Sequence, residues 1–317
     1  MLSVVAPRVR DMTTAELIAT PPAHGDPMPR LSPSRAADFM QCPLMYRFRV
    51  IDRLPDRPTP AAVRGTVVHA VLERLFDLPA AERDLAAAES MVESQWQRVR
   101  EASPELAEVY QSDPDGVSQW LTGVPALLAR WFELEDPTRL EPAERELYVQ
   151  TRLDDGPPGD PGAGLMLHGY VDRLDVAPDG RVRVVDYKTG RAPREAYEAK
   201  ALFQMKFYAL VLWRLHGVVP AVLQLVYLGS GEILRYAPDE DELLATERKL
   251  RALWAAIELA VHTGDWRASP GRMCSWCAHQ QLCPAFGGTP PPIPGRAAEL
   301  VADPQSSALR TPGLEEE

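Results

Sequence analysis

The sequence has little lysine, little cysteine and no long apolar run. Of its 34 basic residues only Lys188, Lys200, Lys206 and Lys249 are lysines. Where arginine is the default, a lysine kept beside an aspartate points to a need for a compact, titratable ammonium, because a guanidinium does not give up its proton near neutral pH. Four cysteines in 317 residues are too few and too unevenly spaced for a disulfide-stapled scaffold, which leaves a metal centre or buried thiols. No stretch reaches the roughly 18 apolar residues of a membrane span. The N-terminal MLSVVAPRVRDMTT also lacks the basic and apolar regions of a secretory signal. The expected location is cytoplasmic, with no membrane partner. There is no internal repeat and no GxxxxGK[ST] phosphate loop, so no nucleotide-driven motor is encoded.

What is present is an ordinary globular composition, 45% hydrophobic and 25% charged, enough to bury a sizeable core. The net charge of -11 argues against a general polyanion binder, although the terminal GLEEE inflates it and local basic patches remain compatible with it. Residues 1–30 and 287–317 are rich in Pro without apolar periodicity and are expected to be mobile ends around a folded body at 31–286. Within the body, Ser32-Pro33 and Thr59-Pro60 are N-cap and first-turn signals for two helices. The first carries Cys42; the second sets Gly65, His69, Leu72 and Phe76 on one face. Residues 80–136 read as a helical insertion or cover. The period then changes. ERELYVQTRL, LMLHGYVDRLDVAP and GRVRVVDYKT are strand-like, REAYEAKALFQMKFYALVLWRLH is a helix, AVLQLVYLG and GEILRYA are a strand pair, and a long helix runs to about 263. This order predicts an α/β architecture with a central mixed sheet flanked by helices. The helical part covers 31–140, the core 141–264 and a cysteine segment 265–286.

DVAPDGRVR sets Pro178, Asp179 and Gly180 between alternating strands, a hairpin signal. A turn centred on Asp179 places Asp172 opposite Asp186. One face then reads Tyr170, Asp172, Leu174 and Val176 against Val182, Val184, Asp186 and Lys188, and the other reads Val171, Arg173 and Asp175 against Arg183, Val185 and Tyr187. Two facing carboxylates repel unless a cation sits between them. Oxygen ligands suit Mg²⁺ or Mn²⁺, and Lys188 on the same face is placed to orient or deprotonate a water. A structural Asp–Lys pair at a sheet edge accounts for the same residues, and a lone His69 is more often simply packed. Gln204 and Tyr208 share a helical face and could hydrogen-bond a phosphate or the lysine.

Taken together, GTVVH, GYVDRLD, VVDYKTG and QMKFY resemble, in order and spacing, the RecB-type nuclease domains of the PD-(D/E)XK superfamily, and LSPSRAADFMQCPLMYRF looks like their N-terminal cysteine segment. The resemblance spans 31–286 and implies a restriction-endonuclease-like core. It implies metal ligation by His69, Asp172, Asp186 and the Tyr187 carbonyl, catalysis by Lys188, and support from Gln204 and Tyr208. Glu146 is a further acidic candidate, with Glu144 on the same strand face. Asp186 stands where many members of the wider superfamily carry Glu, though Asp is usual in the RecB-type branch.

CSWCAHQQLC holds Cys274, Cys277 and Cys283, and Cys42 is the only other cysteine. Four thiolates can hold zinc or an iron–sulfur cluster, and unligated thiols are the third reading. The spacing resembles that of the AddB nuclease domain and CRISPR-associated RecB-like exonucleases, which implies a [4Fe–4S] cluster joining the two ends of the domain. His279 is expected to face solvent. The implied function is a Mg²⁺- or Mn²⁺-dependent DNA exonuclease in repair or recombination, acting on single strands or duplex ends, with a separate helicase as a candidate partner. Arg47, Arg49 and Arg53 are candidates for backbone phosphate contacts. The rival is a non-catalytic DNA-binding or scaffold module of a helicase–nuclease assembly; every expected catalytic position is filled, which counts against it.

Overall fold

The computed structural model describes residues 29–56, 59–104, 123–153, 164–193, 198–295 and 301. Six strands form one mixed sheet: β1 (Arg30–Leu31), β2 (Glu144–Leu153), β3 (Leu165–Val176), β4 (Val182–Lys188), β5 (Val222–Tyr227) and β6 (Glu232–Tyr236). The helices are α1 (Pro33–Gln41), α2 (Pro43–Tyr46) continuing into a π-helical turn at Arg47–Ile51, α3 (Pro60–Leu75), α4 (Leu85–Ala102), α5 (Gly123–Leu134), α6 (Glu198–His216) and α7 (Glu240–Thr263). Both expected caps form: Ser32 Oγ accepts the Arg35 amide and Thr59 Oγ1 accepts the Ala62 amide, each with Pro in the first turn. The insertion at 80–136 supplies α4 and α5.

Two apolar layers hold the sheet. On one face Leu167, Val171, Leu174, Val182, Val184, Leu223 and Leu225 pack with Phe207 and Leu210 of α6, Leu250 and Trp254 of α7, and Phe39 of α1. On the other, Val185, Tyr187, Val226 and Leu228 pack with Val68 and Leu72 of α3, Trp96 of α4 and Trp131 of α5. Each buried large side chain contributes roughly 1.5–3 kcal/mol, so the sheet is fixed from both sides.

β3 is the organising strand. β2 occupies one edge of it from Leu165 to Leu174. Its other edge is shared: β1 runs parallel to it at Met166 and Leu167, and β4 pairs antiparallel from Arg173 to Val176. The recorded β3–β4 pairs, Arg173 with Val185 through Val176 with Val182, carry the register set by the Asp179 turn. Between Leu167 and Arg173 that edge has no strand partner among the described residues, so the sheet forks there. Asp172 stands at the fork, and its Oδ2 accepts the Tyr187 amide at 2.7 Å, replacing a ladder carbonyl.

The strict alternation expected for β3 fails at this point. Val171 and Leu174 both lie in the α6-side core, whereas Arg173 turns to the α5 side, so Tyr170 and Leu174 do not share a face and Val171 does not stand with Arg173. The cause sits across the ladder, where Glu146 has φ +46, a left-handed conformation that turns β2 over at the same rung.

A polar network crosses the α5 side. Arg173, 1% exposed, holds Glu135 through two hydrogen bonds at 2.8 and 2.9 Å and also donates to the Tyr187 hydroxyl. Glu135 accepts further bonds from Trp131 Nε1 at 2.9 Å and Gln224 Nε2 at 3.0 Å. Burial opposes the Glu135 charge, but the Arg173 hydrogen bonds and guanidinium charge outweigh it and hold the carboxyl below its usual range.

The ends of the body are joined. Phe39, Tyr46 and Trp266 form an aromatic cluster, and the Leu44 amide donates to the Arg267 carbonyl at 3.2 Å. The terminal segments expected to be mobile fall mostly outside the described residues. Of the described residues after 287, Pro291 accepts a hydrogen bond at its carbonyl from Arg47 Nη2, and Val301 is buried in the α6-side core. His279 is also not solvent-facing. It is 5% exposed, with Nε2 3.0 Å from Asp56 and its ring against Phe48.

Removing one partner from a buried ion pair leaves the other uncompensated, at about 3–5 kcal/mol. Glu135→Ala is therefore expected to lower unfolding stability by about 3 kcal/mol in urea denaturation, and Glu135→Gln by less; a wild-type midpoint for Glu135→Ala would show that the network adds no stability.

Candidate active site

The fork gathers side chains from four elements. α3 brings His69, β2 brings Glu146, β3 brings Asp172, and the β4 end brings Asp186, Tyr187 and Lys188. His69 Nδ1 lies 3.5 Å from Asp172 Oδ2 and 3.9 Å from Glu146 Oε1, while its Nε2 is 3.0 Å from the Tyr187 carbonyl oxygen. One ligating atom from each of His69, Glu146 and Asp172 falls within 4.8 Å of the others, the only such three-residue set among the described residues. Burial disfavours the imidazolium, but Asp172 and Glu146 outweigh it and push the His69 pKa up to about 9. The proton on His69 thus takes the place of a cation between two carboxylates. This donor set, an imidazole with two carboxylates and a backbone carbonyl beside it, fits a hard divalent ion that tolerates nitrogen.

A second cluster adjoins it. Lys188 Nζ is 2.7 Å from Asp186 Oδ2 and donates to Gln204 Oε1 at 2.9 Å. Gln204 Nε2 donates to Asp186 Oδ1 at 3.0 Å and to the Tyr208 hydroxyl at 3.2 Å. The i and i+4 spacing of Gln204 and Tyr208 on α6 puts both over the β4 end. Gly169 makes room for this helix, because a Cβ there would come within 2.7 Å of the Tyr208 ring. Asp186 is 1% exposed, and burial, offset in part by Lys188 and reinforced by the Asp172 charge, pushes its pKa up to about 6. Burial works against the Lys188 ammonium, yet Asp186 and Asp172 together raise its pKa. Lys188 is therefore a bound ammonium here, suited to orient a group or donate a proton; acting as a base requires the carboxylate charge beside it to be neutralised first.

The PD-(D/E)XK nuclease superfamily model matches residues 30–284. The chain belongs to the PD-(D/E)XK nuclease superfamily. Among similar proteins are the Gene 69 protein of Mycobacterium phage D29, 25% identical over 285 residues (82% of this chain, 98% of that protein), and its namesake in Mycobacterium phage L5, 22% identical over 298 residues (82% and 97%). Among solved structures, SSO0001 is 13% identical with TM-score 0.38, covering 84% of this chain and 89% of that one. A candidate exonuclease from Eubacterium rectale is 12% identical with TM-score 0.48, covering 84% and 91%. The mixed six-stranded sheet with helices on both faces is the superfamily's restriction-endonuclease-like core, and the chain is a nuclease by family.

In this nuclease the expected site residues converge, with one change of emphasis. Glu146 joins His69 and Asp172 directly, while Asp186 is engaged by Lys188 and Gln204. Glu144 does not compete for the site, because the backbone turn at Glu146 separates the two, and burial raises the Glu144 pKa. Gly65, on the His69 face of α3, lies against Thr189, whose Oγ1 would be 3.4 Å from an added Cβ. Arg47 and Arg49, both considered for phosphate, are committed elsewhere. Arg47 is buried on Asp52 at 3.0 Å, and Arg49 pairs with Asp38 at 2.6 Å and Asp56 at 2.7 Å. Arg53 is exposed.

The positive φ of Glu146 generates a comparison. Glu146→Asn and Glu146→Gln remove the same charge, but Asn tolerates the left-handed region and Gln does not, a difference of about 1 kcal/mol. The Asn variant is expected to melt higher than the Gln variant; equal melting temperatures would show that the backbone stores no strain at this position.

Proposed function

We propose that this nuclease is a metal-dependent DNA exonuclease of the RecB type, hydrolysing phosphodiester bonds in repair or recombination, in the cytoplasm and beside a separate helicase. The observation that carries the reading is the convergence of His69, Glu146 and Asp172 with the Lys188–Asp186–Gln204–Tyr208 cluster at one fork. Mg²⁺ or Mn²⁺ held by His69, Asp172, Asp186, Glu146 and the Tyr187 carbonyl would polarise a phosphoryl oxygen, acidify a bound water and neutralise the carboxylates that hold the Lys188 proton. Gln204 keeps the Lys188 ammonium aimed along β4. Tyr208 stays a phenol, since burial raises its pKa and the nearby Asp186 adds to that, so it anchors Gln204 by accepting its hydrogen bond. The folded nuclease domain is assigned to 31–286.

On end-labelled DNA with Mg²⁺ or Mn²⁺, Lys188→Ala is expected to cut at least about 100-fold more slowly than wild type, the usual scale for loss of a proton-transfer group. A wild type that binds DNA but is no faster than Lys188→Ala would establish the scaffold reading instead. Metal binding must also displace the His69 proton. Its folded pKa lies near 9, so Mn²⁺ affinity is expected to rise about tenfold per pH unit from about 6.5 and level off near 9. Titration calorimetry checks this, and His69→Ala should bind weakly and without that slope.

The four cysteines are proposed to hold a [4Fe–4S] cluster, with zinc as the alternative. Cys42, Cys274, Cys277 and Cys283 line one cavity. The Ser269 amide donates to Cys42 Sγ at 3.4 Å and the Gly271 amide to Cys274 Sγ at 3.2 Å. No three of the four sulfurs lie within 4.8 Å of one another, wider than the arrangement set by about 2.3 Å zinc–sulfur bonds in a tetrahedral site. Anaerobically purified protein should be coloured and contain iron, and Cys274→Ser should lose both; colourless protein containing zinc would decide for the alternative.

A further inference from the structure

The half of the β2–β3 pair beyond the metal group carries polar and aromatic side chains that the nuclease chemistry does not use. Tyr148 stands opposite Tyr170 and Gln150 opposite His168, and Arg30 of β1 stands beside Met166 on the other edge of β3. Tyr148 and Tyr170 are one alternation along from Glu146 and Asp172. They lie on the face opposite to Leu147, Val149, Leu167 and Val171 of the α6-side core, so the row begins where the metal group ends. Ring centroids are 5.1 Å apart for Tyr148 and Tyr170 and 6.1 Å for Tyr148 and His168. Tyr170 is 42% exposed, an aromatic surface open to solvent beside a cluster of carboxylates.

Two buried arginines stand at the far end of this row, Arg30 and Arg35, the latter 3% exposed and donating to the Arg30 carbonyl at 3.5 Å. Arg47, Arg83 and Arg173 are buried arginines, and each holds a carboxylate, Asp52 at 3.0 Å, Glu141 at 3.2 Å and Glu135 at 2.8 Å. Arg30 is buried to a similar degree, 8% exposed, yet among the described residues its side chain holds only the Tyr148 hydroxyl at 3.5 Å. Beside it His168 is 5% exposed and its Nε2 has no hydrogen-bond partner. Burial, with Arg35 and Arg30 adding to it, pushes the His168 pKa down to about 3. These surroundings repel a further cation, and a guanidinium taken out of water without an anion is costly. Such surroundings favour an anion.

We infer that this row is a track for a single DNA strand, with the Tyr170 face, backed by Tyr148, stacking on a base and Arg30 beside His168 receiving a phosphate farther from the metal group. This rests on the nuclease reading and names the form of its substrate. Two residues along a strand advance about 6.6 Å, so successive rungs step at a spacing that one nucleotide of an extended strand can follow. A duplex keeps its base faces stacked inside, whereas an exposed aromatic ring grips an unpaired base and tolerates any sequence. A positive phosphate seat also reconciles polyanion binding with the overall charge of -11.

The test uses the full chain with Ca²⁺ in place of the cleaving metal, a labelled oligo-dT, and a blunt duplex of equal length. Loss of one base stack corresponds to about tenfold weaker binding. Tyr170→Ala is therefore expected to weaken oligo-dT binding about tenfold and leave duplex binding unchanged, and Tyr170→Phe to restore it. Arg30→Gln should lower the salt slope of oligo-dT binding by about 0.7, the share of one phosphate contact. Because Arg30 is buried, its variant is read only if it melts like wild type; Tyr170 is exposed and carries the test otherwise. If wild type cleaves DNA while Tyr170→Ala binds oligo-dT as wild type does, the track is overturned and the nuclease reading stands. A wild type that neither binds nor cleaves any DNA overturns both.

Discussion

The site depends on one backbone amide. Where β4 leaves β3, the Tyr187 N–H would lose its ladder carbonyl, and the Asp172 carboxylate accepts it at 2.7 Å. That bond fixes a carboxylate at the mouth of the fork and leaves the Tyr187 carbonyl to face His69. An unmade buried hydrogen bond would cost about 1–3 kcal/mol, so structural and chemical demands fall on the same aspartate. The same rung turns β2 over at Glu146, bringing a second carboxylate to His69.

The two apolar layers have different tasks around this point. The α6 layer delivers Gln204 and Tyr208 to Asp186 and Lys188, and Gly169 sets how closely the helix approaches. The α3–α5 layer delivers His69 and, through Trp131, Glu135 and Arg173, grips the Tyr187 side chain from the other side of the sheet. Asp172 and Arg173 are adjacent in sequence and point to the His69–Glu146 cluster and the buried ion pair respectively. The motif residues and the helical cover are therefore mechanically connected, which gives the insertion at 80–136 a role beyond covering apolar surface.

Much of this was legible in the residues themselves. The Ser-Pro and Thr-Pro caps, the Asp179 turn and the period-two runs located the helices and strands, and the turn register brought Asp172 and Asp186 to the same hairpin end. Local signals failed where tertiary contacts override alternation. Nothing local distinguishes Glu146 from Glu144, because the difference is a left-handed φ imposed where the sheet forks. His279 read as a surface residue because its partners, Asp56 and Phe48, lie more than 200 positions away in the chain. Arg47 read as a phosphate contact although one partner, Asp52, is local; its other partner, the Pro291 carbonyl, is placed by the closing of the two ends.

The sequence by itself determined the element order, the nuclease motif and the four-cysteine set, since caps, turns and periodicity act over a few residues and each leaves a local mark. Only the tertiary structure decided which carboxylates share His69, that Lys188 is held as an ammonium by Asp186, and that Arg30 is a buried cation with no carboxylate partner among the described residues. Those outcomes depend on distances between elements far apart in the chain and on the loss of water around them, and charge interactions of that kind have no expression in local sequence.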